Sequence, residues 1–191
     1  MLRLYYDYMK YDPAKHHRRS IRLQGYDYAT PGAYFVTLCI QNRECLLGEI
    51  RAEGELHLND AGRMATECWS AIPTHFPHAT MDTFIVMPNH IHGVIILGVG
   101  AKHSRSPANA SPLPANGTQP GSLAALVQNF KSVSTRKINA QRAIPGIPVW
   151  QRNYYEHIIR NDDDLRRIRQ YIANNPARWA LDQVNPERRS A

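Results

Sequence analysis

Hydrophobic positions along the chain follow two periods, and the switches between them divide it into elements. After the Pro31-Gly32 turn, residues 33–41 (AYFVTLCIQ) are rich in β-branched and aromatic side chains and predict a buried strand. Residues 46–50 and 55–58 flank Arg51-Ala52-Glu53-Gly54 and predict a hairpin. Over 61–75 the period becomes helical: Met64, Ala65, Cys68, Trp69 and Ile72 share a face, with Asn59 or Asp60 as cap. Residues 80–87 read as a strand, Pro88-Asn89 as a tight turn, and 90–97 as the returning strand. Residues 98–120 are dominated by Pro, Ala, Ser, Asn and Gly, which cannot bury enough apolar surface to fold alone, so they predict a flexible loop insertion. Ser122 then caps a helix to about residue 139, with Leu123, Leu126, Val127, Phe130 and Ile138 on one face and Lys131, Arg136 and Lys137 on the other. Residues 140–149 form a Pro-containing connection. Asn161 caps the last helix, with Asp162, Asp163 and Asp164 in the first turn, where the helix dipole favours negative charge. Leu165, Ile168 and Ile172 are its buried stripe, and Pro176 halts it. The summed pattern predicts an α+β fold: an antiparallel sheet with helices packed on one face, ferredoxin-like in kind.

Composition adds boundaries. A chain of 191 residues with 43% hydrophobic content is long enough for one domain with extensions and a packed core. The expected division is a basic and aromatic arm over 1–27, a globular domain over 28–180 and a tail over 181–191. No apolar run approaches the roughly 18 residues of a membrane helix, and the first residues carry no apolar signal segment. No membrane partner is expected. Three cysteines without a CxxC pair argue against a disulfide framework and against a cysteine-rich zinc site, so a reducing cytoplasm is expected. The formal net charge of +7 favours a polyanionic partner, nucleic acid first. Arg18, Arg19 and Arg22 load the arm; Arg152, Arg160, Arg166, Arg167 and Arg169 load the last third. Each cluster also reads as an ordinary solvated face.

The candidate chemistry centres on the segment IVMPNHIHGVIIL, residues 85–97. Residues i and i+2 of a strand project from one face, so His90 and His92 stand side by side at the end of the sheet. Two neighbouring imidazoles offer neutral nitrogen lone pairs to a divalent ion; they also suit a pair of half-buried histidines bonded to backbone. Tyr171 and Asn175 are one helical turn apart on a face beside the buried stripe. Two imidazoles and an amide oxygen make three ligands around an open metal position, and a tyrosine one turn away could attack a phosphorus held there. Taken singly, Tyr171 also reads as a core-edge aromatic and Asn175 as a helix C-terminal residue. Lys131 is a candidate for phosphate or leaving-group assistance, or simply an exposed helix lysine. Tyr154 and Tyr155 are competing tyrosines, better suited to base stacking or packing under the sheet. His157 reads as structural or as a phosphate contact.

These segments resemble the HUH endonuclease superfamily in its single-tyrosine branch, and within it the REP-associated tyrosine transposases of bacteria. The resemblance runs from about Arg18 to Trp179. It rests on SIRLQGYDYATPGAYFVTLCIQNRECLLGEI near the N-terminus, on MPNHIHGVIIL, and on WQRNYYEHIIRNDDDLRRIRQYIANNPARW at the C-terminal end. It implies an HUH transposase-like catalytic domain over 28–180. His90 and His92 match the metal-binding pair, Tyr171 the tyrosine that attacks the scissile DNA phosphate, and Asn175 the position of a further polar metal ligand. The implied cofactor is a divalent metal, magnesium or manganese, and the implied partner is single-stranded or hairpin DNA. The implied reaction cuts single-stranded DNA at hairpin-forming repeats through a covalent 5′-phosphotyrosine and can rejoin strands. Phosphate contacts are expected from Arg18, Arg19, Arg22, Lys131, Arg152, Arg160 and Arg167. The expected location is the bacterial cytoplasm, in association with the nucleoid. Whether Tyr171 acts within its own subunit or across a homodimer is left open. A non-catalytic, domesticated repeat-DNA-binding protein is the alternative, and a metal hydrolase using an activated water is a second.

Overall fold

The computed structural model describes residues 27–51, 54–98, 118–182 and 185–186. Nearly all of the expected arm, most of the 98–120 insertion and most of the tail, and with them Arg18, Arg19 and Arg22, lie outside the described residues.

The elements follow the hydrophobic pattern closely. Strand β1 is Gly32–Cys39, β2 is Gly48–Ile50 and β3 is Leu56–Leu58. Helix α1 is Asp60–Ser70 and the short α2 is Ile72–His75; Pro73 stands at the start of α2, which divides the single helix expected there. Strands β4, Ala79–Met87, and β5, His90–Leu97, follow, joined by Pro88-Asn89. Helix α3 is Leu123–Gln141, β6 is Tyr155–Ile159 and α4 is Asp162–Ala173. The caps are those the sequence offers. The side chains of Asn59, Ser122 and Asn161 accept from the backbone N–H of Gly62, Ala125 and Asp164 at 3.0, 3.3 and 2.9 Å. Strand β6 is an element the sequence pattern did not show.

The main sheet is antiparallel in the order β4-β5-β1-β6, and β2 and β3 form a separate hairpin. The α+β antiparallel class is the expected one. The helices, however, cover both faces of the sheet rather than one. Tyr34, Val36 and Leu38 of β1 point into a large core with Trp69, Ile72, Leu126 and Phe130 from α1, α2 and α3. The alternate residue Phe35 points the other way, into a smaller cluster with Val94, Ile159, Ile168 and Ile172 against α4. Strands β1 and β5 are buried on both sides, so both read as continuous apolar runs rather than alternating ones. That composition conceals which face a helix will cover.

One glycine ties the large core to the candidate chemistry. A side chain on Gly93 would place its Cβ 2.3 Å from Cζ2 of Trp69. The indole therefore lies directly on the strand that bears His90 and His92, on the face opposite them. Trp69 is 0% exposed and meets Phe130 edge to face at 5.3 Å, so it has little room to retreat. We expect Gly93→Ala to lower stability by about 1–3 kcal/mol through overpacking, seen as a fall in the thermal midpoint; an unchanged midpoint would show that the indole can withdraw.

Candidate active site

The site is built where the β4–β5 turn delivers its strand. Register pairs Cys39 with His90 and Thr37 with His92. Directly opposed residues share a face, so both imidazoles lie on the α4 side with Phe35 and Val94. His90 is 0% and His92 5% exposed. Their Nε2 atoms are 3.0 Å apart.

Each ring is anchored through its other nitrogen. His90 Nδ1 lies 2.8 Å from Asn89 Oδ1. The Asn89 amide is oriented by its own Nδ2, which donates to the carbonyl of Arg43 at 3.0 Å. Its Oδ1 must then accept, so His90 Nδ1 carries the hydrogen and His90 Nε2 presents a lone pair. His92 Nδ1 lies 2.8 Å from Thr37 Oγ1. A hydroxyl both donates and accepts, so Thr37 suits either tautomer of His92. With His92 Nε2–H donating to His90 Nε2, every one of these nitrogens is satisfied. Burial pushes the His90 imidazolium down to a pKa of about 3, opposed in part by the neighbouring Asn175 side chain, with the Arg43 charge adding to the fall. Burial, and then the neighbouring His90, hold His92 well below the ordinary range. Both rings are therefore neutral near pH 7, the state that can ligate a metal.

Aromatic rings and the end of α4 enclose the pair. Phe35 stacks on His92 with centroids 5.4 Å apart, and Trp179 lies near-parallel to His90 at 6.2 Å. Tyr171, in the last turn of α4, places its hydroxyl 3.3 Å from His92 Nε2. Asn175 follows the helix end, still with right-handed helical φ and ψ, and its amide N–H donates to the carbonyl of Ile172 at 3.2 Å. It is 3% exposed, and among the described residues its buried side-chain oxygen has no partner in good hydrogen-bond geometry, although it lies close enough to His90 to favour that imidazolium. An orphaned buried carbonyl costs about 1–3 kcal/mol, so its presence beside two imidazoles is a chemical statement about what the site can accept.

That donor set fits a divalent ion. Two nitrogens about 2.1 Å from one ion stand about 3.0 Å apart at right angles and about 3.4 Å at a tetrahedral angle. The observed 3.0 Å would let both nitrogens face one ion. The same separation suits an N–H···N hydrogen bond, so exchange of that hydrogen for an ion leaves the rings in place. Among the described residues no group of three or more His, Cys, Asp or Glu is disposed to hold a metal. An ion here would rely on His90, His92 and Asn175.

The other candidates lie elsewhere. Lys131, on α3 and so across the sheet, donates to the carbonyls of Gln151, Arg152 and Asn153 at 2.8, 3.3 and 3.0 Å. Its ammonium also stands 5.4 Å from the Tyr154 ring, and burial pushes its pKa down to about 8. All three of its hydrogens are engaged, so it holds the chain entering β6 and is not brought to the histidines. Tyr154 packs in the large core. Tyr155 shares the histidine face but meets Phe35 edge to face at 6.2 Å. His157 pairs with Asp164 at 2.8 Å. Arg152, Arg160 and Arg167 are exposed, Arg167 beside Asp164 at 3.3 Å. Sequence reasoning missed Thr37, Asn89, Phe35 and Trp179. Asn89 alone had a visible signal, as a polar residue between a proline and the first histidine.

Two neutral buried imidazoles predict a pH dependence. An unfolded chain protonates them near the free histidine pKa of about 6.5, whereas the fold resists until far lower pH. Stability of the metal-free protein is therefore whole above that value and falls as pH drops toward 4.5, before most carboxylates titrate. Urea unfolding from pH 8 to 4.5 measures it, and a flat profile would contradict the neutral pair.

No protein-family model matches the chain. An uncharacterized protein of Haemophilus influenzae is 42% identical over 178 residues, covering 92% of this chain and 97% of that protein. A second protein of that organism, named "Putative REP-associated tyrosine transposase", is 24% identical over 167 residues, covering 83% of this chain and 77% of its own. Among solved structures, a REP-associated tyrosine transposase bound to a REP hairpin superposes with a TM-score of 0.54 at 18% identity, covering 85% of this chain and 77% of that one. The chain and the 42% identical Haemophilus influenzae protein belong to one family, and its fold is that of the REP-associated tyrosine transposases.

Proposed function

We propose that this protein is a single-strand DNA endonuclease and strand transferase of the tyrosine transposase type, acting at hairpin-forming repeats through a covalent 5′-phosphotyrosine. The observation that carries the proposal is the Tyr171 hydroxyl, 3.3 Å from the Nε2 of a histidine whose partner imidazole is 3.0 Å away. Of the other tyrosines in the C-terminal block, Tyr154 packs against the large core and Tyr155 meets Phe35 edge to face. The fold likeness to a transposase bound to a REP hairpin, and the net charge of +7, support a structured, single-stranded DNA substrate.

His90, His92 and Asn175 would hold a divalent ion, which when bound polarises the scissile phosphate and neutralises charge on it. The remaining work belongs to the chain. Tyr171 Oη forms a bond to phosphorus while the bond from phosphorus to the 3′ oxygen breaks. The 5′ side is left on the tyrosine, and the phenolic proton is balanced by the one gained by the 3′-hydroxyl. One phosphate ester replaces another, so a 3′-hydroxyl can reverse the step. Phe35 and Trp179 exclude water around the imidazoles and hold their planes. Asn89 and Thr37 keep the rings turned so that both Nε2 atoms converge. Exposed Arg152, Arg160 and Arg167 are available to phosphates away from the reacting atoms. Two imidazoles and an amide are a poor set for activating water in a hydrolase, which ordinarily draws on more carboxylate ligands.

The test uses the full chain, manganese and a labelled single-stranded hairpin oligonucleotide, resolved on a denaturing gel. A metal-dependent protein–DNA adduct is expected, absent in Tyr171→Phe and retained in Tyr154→Phe and Tyr155→Phe. Hairpin binding with no adduct from the wild type would sink the catalytic reading in favour of a binding module. Asn175→Ala should raise the manganese concentration giving half-maximal adduct by roughly tenfold or more, with hairpin binding in the absence of metal unchanged; an unaltered requirement would remove Asn175 from the ligand set.

A further inference from the structure

Helix α4 carries Tyr171, yet it is lightly seated. Only Ile168 and Ile172 of the helix are buried, in a cluster much smaller than the one on the opposite face. Polar ties supplement this. Near the N-terminus of α4, Asp164 pairs with His157 of β6 at 2.8 Å. Farther along, Arg169 reaches β4, where its Nε and Nη2 donate to the two carboxylate oxygens of Asp82 at 2.8 and 2.6 Å. The ties are to β6 and β4, which are the two outer strands of the sheet. The helix is thus fixed across the whole width of its face.

The β4 tie depends on an irregularity in that strand. Met81 pairs with Ile95 and Phe84 with Gly93, so three steps along β4 match two along β5. Met81 and Phe84 consequently both pack into the large core, although an odd separation would put them on opposite faces of a regular strand. Asp82 and Thr83 lie within the bulge. The Asp82 carboxylate also accepts from the Thr83 N–H at 2.7 Å, and its side chain is only 16% exposed. The contact is bidentate and its carboxylate is covered, although the Arg169 side chain is 46% exposed; a bidentate guanidinium–carboxylate pair is the geometrically defined kind. The Arg169 hydrogen bonds hold the Asp82 carboxyl far below the usual carboxylate range.

We propose that the Asp82–Arg169 pair is a latch that sets where α4 sits on the sheet, which makes both positioning residues for Tyr171. This rests on reading Tyr171 as the nucleophile. Arg169 precedes Tyr171 by two residues, so a slide or roll of the helix at Arg169 is passed directly to the hydroxyl. A displacement near 1 Å is enough to cost about a hundredfold in a reaction needing in-line attack.

Asp82→Asn is the informative variant, because it leaves every positive charge in place. As a DNA contact, Arg169 would be freed by this change, and binding and adduct would rise. As a latch, it releases the helix, and adduct formation falls by about tenfold or more while hairpin binding stays within about twofold. Arg169→Gln should give a similar loss of adduct, and the double variant no further loss, since both act through one contact. Amide exchange over 165–173 should quicken in Asp82→Asn while exchange in α3 stays as in the wild type. An undiminished adduct in Asp82→Asn, additive losses in the double variant, or unchanged exchange in α4 would each overturn the latch. Failure of the wild type to form any adduct would instead overturn the tyrosine reading on which it rests.

Discussion

Two imidazoles buried side by side, with their Nε2 atoms 3.0 Å apart, can persist only if neither carries a charge and every ring nitrogen has a partner. Much of the surrounding architecture satisfies that demand. The β1–β5 register brings the Thr37 hydroxyl to one ring. The turn between β4 and β5 supplies Asn89 to the other, and Asn89 is in turn oriented by the carbonyl of Arg43. Arg43 follows Asn42, and both have positive φ, so the chain adopts an uncommon backbone where it delivers that carbonyl. A single unmet buried polar group costs about 1–3 kcal/mol, comparable to the whole effect of a typical core substitution. Among the described residues, the side-chain oxygen of Asn175 beside the pair lacks a partner in good geometry and therefore stands out.

The two faces of the sheet divide the labour. Helices α1, α2 and α3 cover one face with a large aromatic and aliphatic core, where Trp69 and Phe130 pack behind the histidine strand through the opening at Gly93. The candidate chemistry lies on the other face, where α4 is held by a few apolar side chains and by polar ties to β4, β5 and β6. A thick core behind the histidines keeps their strand rigid. A thinner contact in front leaves the position of the tyrosine helix to a few specific interactions. Lys131 belongs to the supporting side: its ammonium gathers the carbonyls that lead into β6.

Several parts of this arrangement were legible in the sequence, because each depends on residues near one another along the chain. A period of two put His90 and His92 on one face, and the structure begins β5 at His90. Helical spacing joined Tyr171 to Asn175, and capping residues marked the starts of α1, α3 and α4. Strand β6 escaped notice because the run of Tyr, Glu and His in YEHII shows no apolar alternation. The placement of helices on both faces was hidden because β1 and β5 are apolar on both sides. Thr37, Phe35 and Trp179 gave no signal, since a threonine, a phenylalanine and a tryptophan become parts of a histidine site only when distant strands and helices meet.

What the sequence by itself determined is therefore the inventory and its local geometry: two neighbouring imidazoles, a tyrosine one turn from an asparagine, and the element that bears each. Backbone stereochemistry sets that much, because strand alternation and helical pitch act over a few residues. Only the tertiary structure decided that Tyr171 reaches His92, that Lys131 does not, and that Asp82 of one outer strand grips the helix carrying the tyrosine. Those outcomes turn on strand register, on a one-residue bulge and on which face a helix covers. Each is set by packing between segments far apart in the chain, where a shift of one residue sends a side chain to the opposite face.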